Sequence, residues 1–393
     1  MQLECQYLNN LIILFFKVSS KFLLENSKQI VKPIKSKIMK TKLLLVTLTS
    51  FLFLTGCASN DDDIQVSEAL SKTSVIDQTY PKAQQAVLET FAAIAESIRL
   101  GAGNGYDSEY MDQLISFHAY GDKFTEFNNG ELYDSAQNEA HERTLFGQMV
   151  DPGGVLKFAA VPETLKVAVY YGNVANLTFI SDFHLMIGGN PVIVNNLITL
   201  LFIKTNGEWK MVHEHHSPAD DAGSFEKSGF APKTSLSKGS SGYKSSVMNQ
   251  TYSQAQQEVL ETFGAIAESI RLGAGKGADS EYMDQLISFH AYGDKFTEFN
   301  DGKLYGSAEN EAHERTLFGE TVDEGGVKQF APVDGTLKVA VYYGNVANLT
   351  FISDFILKIG GVEYTVNNLI TLLFVKKNGE WKMVHEHHSP ANI

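Results

Sequence analysis

The chain has 393 residues, a length that predicts two or three domains, and its 44% hydrophobic and 20% charged residues are typical of a globular protein. The formal net charge of -14 argues against a protein that binds a nucleic-acid phosphate backbone. The two cysteines, Cys5 and Cys57, are too few for a disulfide framework or a cysteine-rich zinc site.

The first predicted element is a secretory signal that begins at Met39. Lys40 and Lys42 form a short basic region, and residues 43–54 form an apolar segment that is too short to span a bilayer as a permanent helix. Because Met39 opens a complete signal, residues 1–38 are predicted to be an upstream extension that results from a start codon assigned in error.

The signal peptide is predicted to cover residues 39–56. The sequence Leu-Thr-Gly-Cys at 54–57 resembles the lipobox of bacterial lipoproteins, in which the cysteine becomes the lipid-linked first residue of the mature protein. This resemblance implies an exported protein that is lipidated at Cys57 and anchored in the bacterial cell envelope. Ala58 implies the outer membrane, with periplasmic and surface exposure both open. Residues 57–76 are polar and acidic and are predicted to be a spacer, so that membrane attachment comes from the lipid anchor alone.

The mature chain contains one unit twice. A shift of 172 residues, from Tyr80 to Tyr252, aligns residues 79–218 with 251–390 without a gap, and about 114 of the 140 positions are identical. The stretch between the units is rich in Ser, Gly and Lys and is predicted to be a flexible linker, long enough for the two domains to touch. The duplication therefore divides this part of the chain into a first domain at 77–218, a linker at 219–248 and a second domain at 249–393.

Each unit begins with predicted helices. In the first unit, Val87, Phe91, Ile94 and Ile98 form an apolar stripe that predicts one helix ending at Gly101.

Two further helices and a sheet are predicted after this helix. The second helix is short and is capped by Asp107 or Ser108, and the third is more polar and extends from Ser135 to about Phe146. Four segments rich in β-branched and aromatic residues predict strands, at 165–171, 174–187, 192–204 and 208–216. Helices followed by an antiparallel sheet indicate an α+β fold.

Two segments, Ile-Ser-Phe-His-Ala-Tyr-Gly at 115–121 and Gly-Glu-Trp-Lys-Met-Val-His-Glu-His-His-Ser at 207–217, together with this order of elements, resemble the SnoaL-like branch of the NTF2-like superfamily. The resemblance covers both units. It implies two tandem NTF2-like cone domains, each with N-terminal helices packed on a curved antiparallel sheet around a pocket. Because this superfamily includes isomerases, cyclases, dehydratases and non-catalytic binding or assembly modules, the fold alone selects no reaction.

The candidate pocket residues come mainly from the last predicted strand. On a regular strand Trp209, His213 and His215 share one face, so that two imidazoles would enter the pocket. Three interpretations remain open: metal coordination with a third ligand such as His118, acid/base work near neutral pH, or hydrogen bonding on a half-buried surface. Asp182 lies on the polar face of the long strand and is either a general base, as in ketosteroid-isomerase-like relatives, or a solvated carboxylate. The candidates in both units are His118, Tyr120, Asp182, Trp209, His213 and His215, with the counterparts His290, Tyr292, Asp354, Trp381, His385 and His387.

The sequence contains no nucleophile elbow, no Walker phosphate loop and no His-Glu-x-x-His motif, and it predicts neither a cofactor nor a metal site. The favoured function is binding of a small, partly apolar molecule in two pockets without turnover. The alternatives are an isomerase, lyase or hydrolase in which a pocket histidine or aspartate moves a proton, and an assembly module that recruits a partner through its sheet. The two domains are expected to pair through their sheets as an intramolecular pseudo-dimer, and no nucleic acid is expected as a partner.

Overall fold

The computed structural model of the chain describes residues 79–219 and 253–392. The predicted upstream extension, signal peptide, lipidated Cys57, spacer and nearly all of the linker lie outside the described residues. Within the described ranges, no helix combines the length and the apolar character that a membrane span requires.

The first domain is an α+β domain of three α-helices and eight strands. Two helices precede the first strand, and the third helix ends in a π-helical turn. In chain order the elements are α1 (Pro81–Gly101), α2 (Glu109–Ser116), β1 (Thr125–Asn128), β2 (Glu131–Tyr133), α3 (Ser135–Thr144), the π-helical turn (Leu145–Met149), β3 (Val150–Ala160), β4 (Lys166–Tyr170), β5 (Val174–Ile187), β6 (Asn190–Val194), β7 (Asn196–Thr205) and β8 (Glu208–Pro218).

The second domain repeats this order of elements. They are α4 (Gln254–Gly273), α5 (Glu281–Ser288), β9 (Thr297–Asn300), β10 (Lys303–Tyr305), α6 (Ser307–Glu314), a second π-helical turn (Arg315–Thr321), β11 (Val327–Pro332), β12 (Lys338–Tyr342), β13 (Val346–Ile359), β14 (Val362–Val366), β15 (Asn368–Lys377) and β16 (Glu380–Pro390).

Local sequence signals account for the ends of the helices. Pro81 occupies the first turn of α1, where a missing backbone N–H costs nothing, and Ser108 caps α2 by accepting a hydrogen bond from the Met111 backbone N–H. Asp134 and Gln137 form a capping box at the start of α3. The second domain has Gly306 in place of Asp134, so α6 begins without a side-chain cap.

The sheet of the first domain has the order β2-β1-β8-β7-β5-β3, and β4 and β6 also pair with β5. The 14-residue strand β5 pairs with β4 and β7 along its first half and with β3 and β6 along its second half, so it joins two parts of a strongly curved sheet. The predicted strand at 192–204 is wrong in one respect, because it is two strands that are separated at Asn195. The Asn195 side chain donates a hydrogen bond to the Ser181 backbone carbonyl at this break.

The region between α1 and the concave face of the sheet is packed with aromatic side chains. The Phe91 ring lies 5.1 Å from the Phe179 ring and 5.7 Å from the Phe158 ring, and Phe158 lies 4.9 Å from Phe183. These residues belong to one buried apolar cluster with the α1 stripe. The pocket that was expected between α1 and the concave face is therefore occupied here by hydrocarbon side chains.

The outer faces of the two sheets are in contact with each other. Small and apolar residues from both domains form one buried cluster, which includes Leu201 and Val212 of the first domain and Leu373 and Val384 of the second. Lysine side chains cross the contact in both directions and donate to backbone carbonyls, Lys166 to Phe296 at 2.7 Å and Lys338 to Phe124 at 2.6 Å.

Candidate functional site

A β-bulge divides strand β8 into two parts that present their side chains differently. Phe202 pairs with Met211 and Leu201 pairs with His213, so Val212 is an extra residue on β8. Trp209 and Met211 therefore point into the core of the domain, whereas His213 and His215, after the bulge, point out of it. The prediction that Trp209, His213 and His215 share one face is wrong, because it assumed an unbroken alternation.

His213 and His215 lie between the two domains and are completely buried. Nδ1 of His213 lies 3.0 Å from the Thr125 carbonyl oxygen, which can only accept, so this nitrogen carries the proton. Nε2 of His213 then accepts from the Thr371 hydroxyl at 2.9 Å. The same hydroxyl accepts from Nδ1–H of His215 at 3.0 Å, and Nε2 of His215 accepts from the Ser389 hydroxyl at 2.8 Å. This chain of hydrogen bonds leaves both imidazoles neutral.

The equivalent histidines of the second domain make the same series of hydrogen bonds, with hydroxyl groups of the first domain. Nε2 of His385 accepts from the Thr199 hydroxyl at 2.9 Å, and Nε2 of His387 accepts from the Ser217 hydroxyl at 2.8 Å. The rings of His215 and His387 stack on each other, with centroids 3.5 Å apart. Uncharged rings can stack at this distance without charge repulsion.

Burial lowers the pKa of His213 and of His385 to about 3, and burial lowers the pKa of His215 and His387 well below the usual value. These four candidates are therefore interface residues, and the prediction that they project into a pocket is wrong.

The inner face of β8 carries a second and different polar group. Glu214 pairs with Leu200, which faces the core, so its carboxylate points towards the helices. There it meets His118, which backbone hydrogen bonds from Ala119 to Met211 and from Met211 to Phe117 hold beside β8. This inner group, which we call the acid–histidine cluster, consists of His118, Glu126, Asn138, Glu142 and Glu214.

Short contacts join the members of the acid–histidine cluster. Nε2 of His118 lies 3.1 Å from Oε1 of Glu214 and 3.6 Å from Oε2 of Glu142. The amide of Asn138 donates to Oε2 of Glu126 at 2.8 Å and to Oε1 of Glu214 at 3.1 Å. Asn138 and Glu142 are four residues apart on α3 and so share the helix face that packs against the sheet.

One atom of the cluster has no hydrogen-bond partner. It is Oε2 of Glu142, which is buried, in a residue that is 8% exposed. The equivalent atom of Glu314 in the second domain is also buried without a partner. Buried polar atoms are nearly always hydrogen-bonded, so this unpartnered oxygen beside the other charged groups of the cluster is a candidate contact for a ligand.

The charges in the cluster depend on one another. Burial alone would lower the pKa of His118, but the carboxylates of Glu142 and Glu214 outweigh it and raise that pKa to about 9. Burial raises the pKa of Glu142 to about 8, against the opposing charge of His118. Burial also acts to raise the pKa of Glu214, but hydrogen bonds from His118 and His216 hold it far below its usual range. The cluster therefore has an imidazolium beside one firmly ionised carboxylate and one carboxyl that titrates near neutral pH.

The second domain contains the same cluster. Nε2 of His290 lies 3.0 Å from Oε1 of Glu386 and 3.6 Å from Oε2 of Glu314. The amide of Asn310 donates to Glu298 at 2.8 Å and to Glu386 at 3.2 Å. Both sites are therefore intact in the duplicated chain.

The structure brings His118 and Tyr120 together, as expected for two residues of one site. Their rings stack with centroids 4.9 Å apart, and the Tyr120 hydroxyl donates to Oδ1 of Asn138 at 2.5 Å. His290 and Tyr292 are arranged in the same way.

The other sequence candidates lie elsewhere. Trp209 and Trp381 are buried in the apolar cores of their domains. Asp182 is partly exposed on β5, where it pairs with Lys157 and with His184, so it belongs to a surface ion group and not to the cluster. Asp354 accepts a hydrogen bond from Gln329 in the same part of the second domain.

Sequence reasoning missed the carboxylates Glu126, Glu142 and Glu214. Two signals could have indicated Glu142 and Glu214. Asn138 and Glu142 lie at helical spacing on a helix that has almost no apolar face, and Glu214 alternates with His213 and His215 on the last strand.

The chain matches the family model of the SnoaL-like domain over residues 87–221 and 283–393. An α+β cone that carries a polar cluster is the class of domain defined by the fold and the site described above. Because the two matched ranges cover more than half of the chain, the protein belongs to the SnoaL-like domain family and contains two domains of it.

Solved structures with the NTF2-like fold are similar to parts of this chain. An NTF2-like superfamily protein from Salmonella enterica is 19% identical, with a TM-score of 0.29, and the match covers 35% of this chain and 92% of that one. An NTF2-like protein of unknown function from Shewanella oneidensis is 16% identical, with a TM-score of 0.26 and coverage of 34% and 97%. The CaMKII hub homology domain of Chlamydomonas reinhardtii is 19% identical, with a TM-score of 0.28 and coverage of 35% and 99%. None of the curated proteins compared with this chain matches it significantly.

Proposed function

We propose that this protein is an exported, lipid-anchored binding protein in which each SnoaL-like domain holds a small molecule at its acid–histidine cluster, without turnover. The observation that carries the proposal is the buried, unpartnered Oε2 atom of Glu142, repeated at Glu314. Leaving such an oxygen without a partner costs about 1–3 kcal/mol, and a bound ligand that donates to it removes this cost.

The surroundings of the cluster support a ligand that is partly apolar. The rings of Tyr120 and Phe124 pack edge to face at 4.9 Å beside His118, so apolar and polar surfaces meet there. The cluster also extends towards the surface, because the His216 side chain, which contacts Glu214 at 3.3 Å, is 20% exposed. A molecule that reaches the cluster would pass this imidazole.

An acid/base enzyme is the second candidate. Glu142 and His118 place a carboxyl with a pKa of about 8 beside an imidazole with a pKa of about 9. A proton donor and acceptor with pKa values near the operating pH are the groups that general acid–base catalysis requires. An assembly module is supported less well, because the outer face of each sheet is already covered by the other domain.

We further propose that the two domains pair as an intramolecular pseudo-dimer in solution. Small-angle scattering of the mature chain should then give one compact particle, whereas two separated lobes would refute this part. Lipid anchoring at Cys57 is tested by Cys57→Ala, which should move the protein from the membrane fraction of its host to the soluble fraction.

The ligand-binding proposal is tested by native mass spectrometry of the full chain isolated from its host. We expect a bound mass in the native protein that is lost in Glu142→Gln/Glu314→Gln. A matched control, Glu139→Gln/Glu311→Gln, changes partly exposed glutamates outside the cluster on the same helices and should retain the ligand. Retention of the same mass by the cluster variant would place the ligand elsewhere, and conversion of the bound molecule to a product would favour the enzyme.

A further inference from the structure

We propose that the acid–histidine cluster of each domain is a site for a divalent transition-metal cation. The ligand atoms are Nε2 of His118 and one carboxylate oxygen each of Glu142 and Glu214. In the second domain they come from the counterparts His290, Glu314 and Glu386. This inference adds a metal ion to the cluster, and it rests on the proposed function only in taking the cluster as the binding site.

The distances between the donor atoms fit one cation. In each domain the three donor atoms all lie within 4.8 Å of one another. In the first domain, Nε2 of His118 lies 3.1 Å from Oε1 of Glu214 and 3.6 Å from Oε2 of Glu142. Tetrahedral ligands at bond lengths of about 2.0–2.2 Å are about 3.3–3.6 Å apart, so both separations from His118 are within a few tenths of an ångström of the values a bound ion requires.

The orientation of the His118 ring is the one a metal ligand needs. Its Nδ1 lies 3.2 Å from the Leu114 carbonyl oxygen and 3.3 Å from that of Ile115, so Nδ1–H donates to the backbone. This fixes the ring and leaves Nε2 as the nitrogen that faces both carboxylates. Histidine ligands in metal sites are commonly held in this way, by a hydrogen bond from the other ring nitrogen.

The carboxylates are also held by outer partners. Oε1 of Glu214 accepts a hydrogen bond from the Asn138 amide, and Oε2 of Glu214 lies 3.3 Å from Nε2 of His216. Glu142 has the unpartnered oxygen, and this atom is aimed at Nε2 of His118. One fixed imidazole, one fixed carboxylate and one carboxylate oxygen without a hydrogen-bond partner form a set of three donors for one cation.

The donor types select the class of cation. An imidazole with two carboxylates suits Zn²⁺, Mn²⁺ or Fe²⁺, whereas Ca²⁺ and Mg²⁺ prefer oxygen ligands alone and Cu⁺ prefers sulfur. His118 was a possible metal ligand from the sequence, but Glu142 and Glu214 were not, because the three ligands come from the segment after α2, from α3 and from the last strand.

The test is zinc uptake by the full mature chain, after treatment with EDTA and dialysis against Zn²⁺ alone. We expect two zinc ions per chain, one in Glu142→Gln, and none in Glu142→Gln/Glu314→Gln at concentrations that saturate the native protein, which corresponds to at least about 100-fold weaker binding. The control Glu139→Gln/Glu311→Gln should still bind two ions. The proposal is overturned if the native chain binds no zinc or if the double cluster variant binds as much as the control.

A second measurement needs no variant. In the native chain labelled with ¹⁵N-histidine, addition of paramagnetic Co²⁺ should broaden the imidazole signals of His118 and His290 and leave those of His213 and His385 sharp. Unchanged signals of His118 and His290 would overturn the proposal. Native mass spectrometry of metal-free protein tests the organic ligand separately, so failure of the metal site and failure of the proposed function are distinguishable.

Discussion

The last strand of each domain carries histidines and a glutamate on two faces. The side chains on the outer face are neutral, and those on the inner face are charged. On the outer face, His213 and His215 bond to hydroxyls and to a carbonyl oxygen and are neutral. On the inner face, Glu214 is ionised and lies beside the imidazolium of His118. Glu214 is therefore charged although it lies between the neutral His213 and His215, because the side chains on the two faces of the strand have different hydrogen-bond partners.

This comparison shows that burial alone does not determine the state of an imidazole. His118 and His213 are both buried, yet the pKa of one is raised to about 9 and that of the other is lowered to about 3. Carboxylate partners stabilise the charged ring, whereas hydroxyl and carbonyl partners that form a complete chain stabilise the neutral ring.

The largest expected effect is a loss of stability in acid that comes from the outer face. An unfolded histidine has a pKa of about 6.5, whereas that of folded His213 is about 3, so the unfolded chain binds more protons between these values. The free energy of unfolding should therefore fall as the pH falls below about 6.5, by at most about 1.4 kcal/mol per pH unit for each of the four imidazoles. The charges of His216 and Lys338 also lower the pKa of His213, as burial does.

Urea unfolding of EDTA-treated protein between pH 7 and pH 4.5 measures this slope. His215→Asn/His387→Asn removes two of the four titrating rings and should make the slope shallower, although it lowers the stability at pH 7. An equal slope in the variant would contradict the assignment of neutral rings to the outer face.

The next largest effect is expected on the inner face. Glu214→Gln leaves His118 without its nearest carboxylate, and removing one member of a buried ion pair costs about 3–5 kcal/mol. Thermal or urea unfolding should show this loss, whereas Glu208→Gln, which changes an exposed glutamate on the same strand, should have almost no effect. Equal stability of the two variants would mean that His118 is not charged.

The sequence predicts those features of the two faces that depend on residues close together along the chain, and it does not predict those that depend on distant residues. The α1 stripe was predicted correctly, and Ser108 was one of the two residues predicted to cap α2, because both features involve residues within a turn or two of each other. The bulge at Val212 was not predicted, because it is defined by pairing with β7, and it reversed the predicted faces of His213 and His215.

The candidate site was only partly predictable. His118 and Tyr120 were identified from their position after the second helix, and they do belong to the cluster. Glu142 was not identified, because a glutamate on a polar helix is usually solvated and only the packing of α3 on the sheet buries it.

A smaller effect should follow from breaking the outer hydrogen-bond chain. Thr371→Val keeps the shape of the side chain but leaves Nε2 of His213 and Nδ1 of His215 without their partner, which should cost about 1–3 kcal/mol. Thr199→Val should cost the same, since Thr199 makes the equivalent hydrogen bonds with His385 and His387. Thr205→Val at the exposed end of β7 is the control. If Thr371→Val lowers the free energy of unfolding no more than this control does, the series of hydrogen bonds through Thr371 is not supported.

The smallest effect is expected from Tyr120→Phe. This change removes one hydrogen bond, to Asn138, and keeps the ring that stacks on His118, so the free energy of unfolding should fall by about 0.5–1.5 kcal/mol. Tyr292→Phe should give a similar loss in the second domain. A loss above about 3 kcal/mol would show that the hydroxyl does more than complete the Asn138 network.

The contrast between the two faces is tested most directly by long-range ¹H–¹⁵N NMR of the histidine side chains in metal-free protein at pH 6. We expect His213, His215, His385 and His387 to show the neutral form protonated on Nδ1, and His118 and His290 to show imidazolium signals. Imidazolium signals from the four interface rings, or neutral rings at His118 and His290, would refute the assigned difference between the two faces.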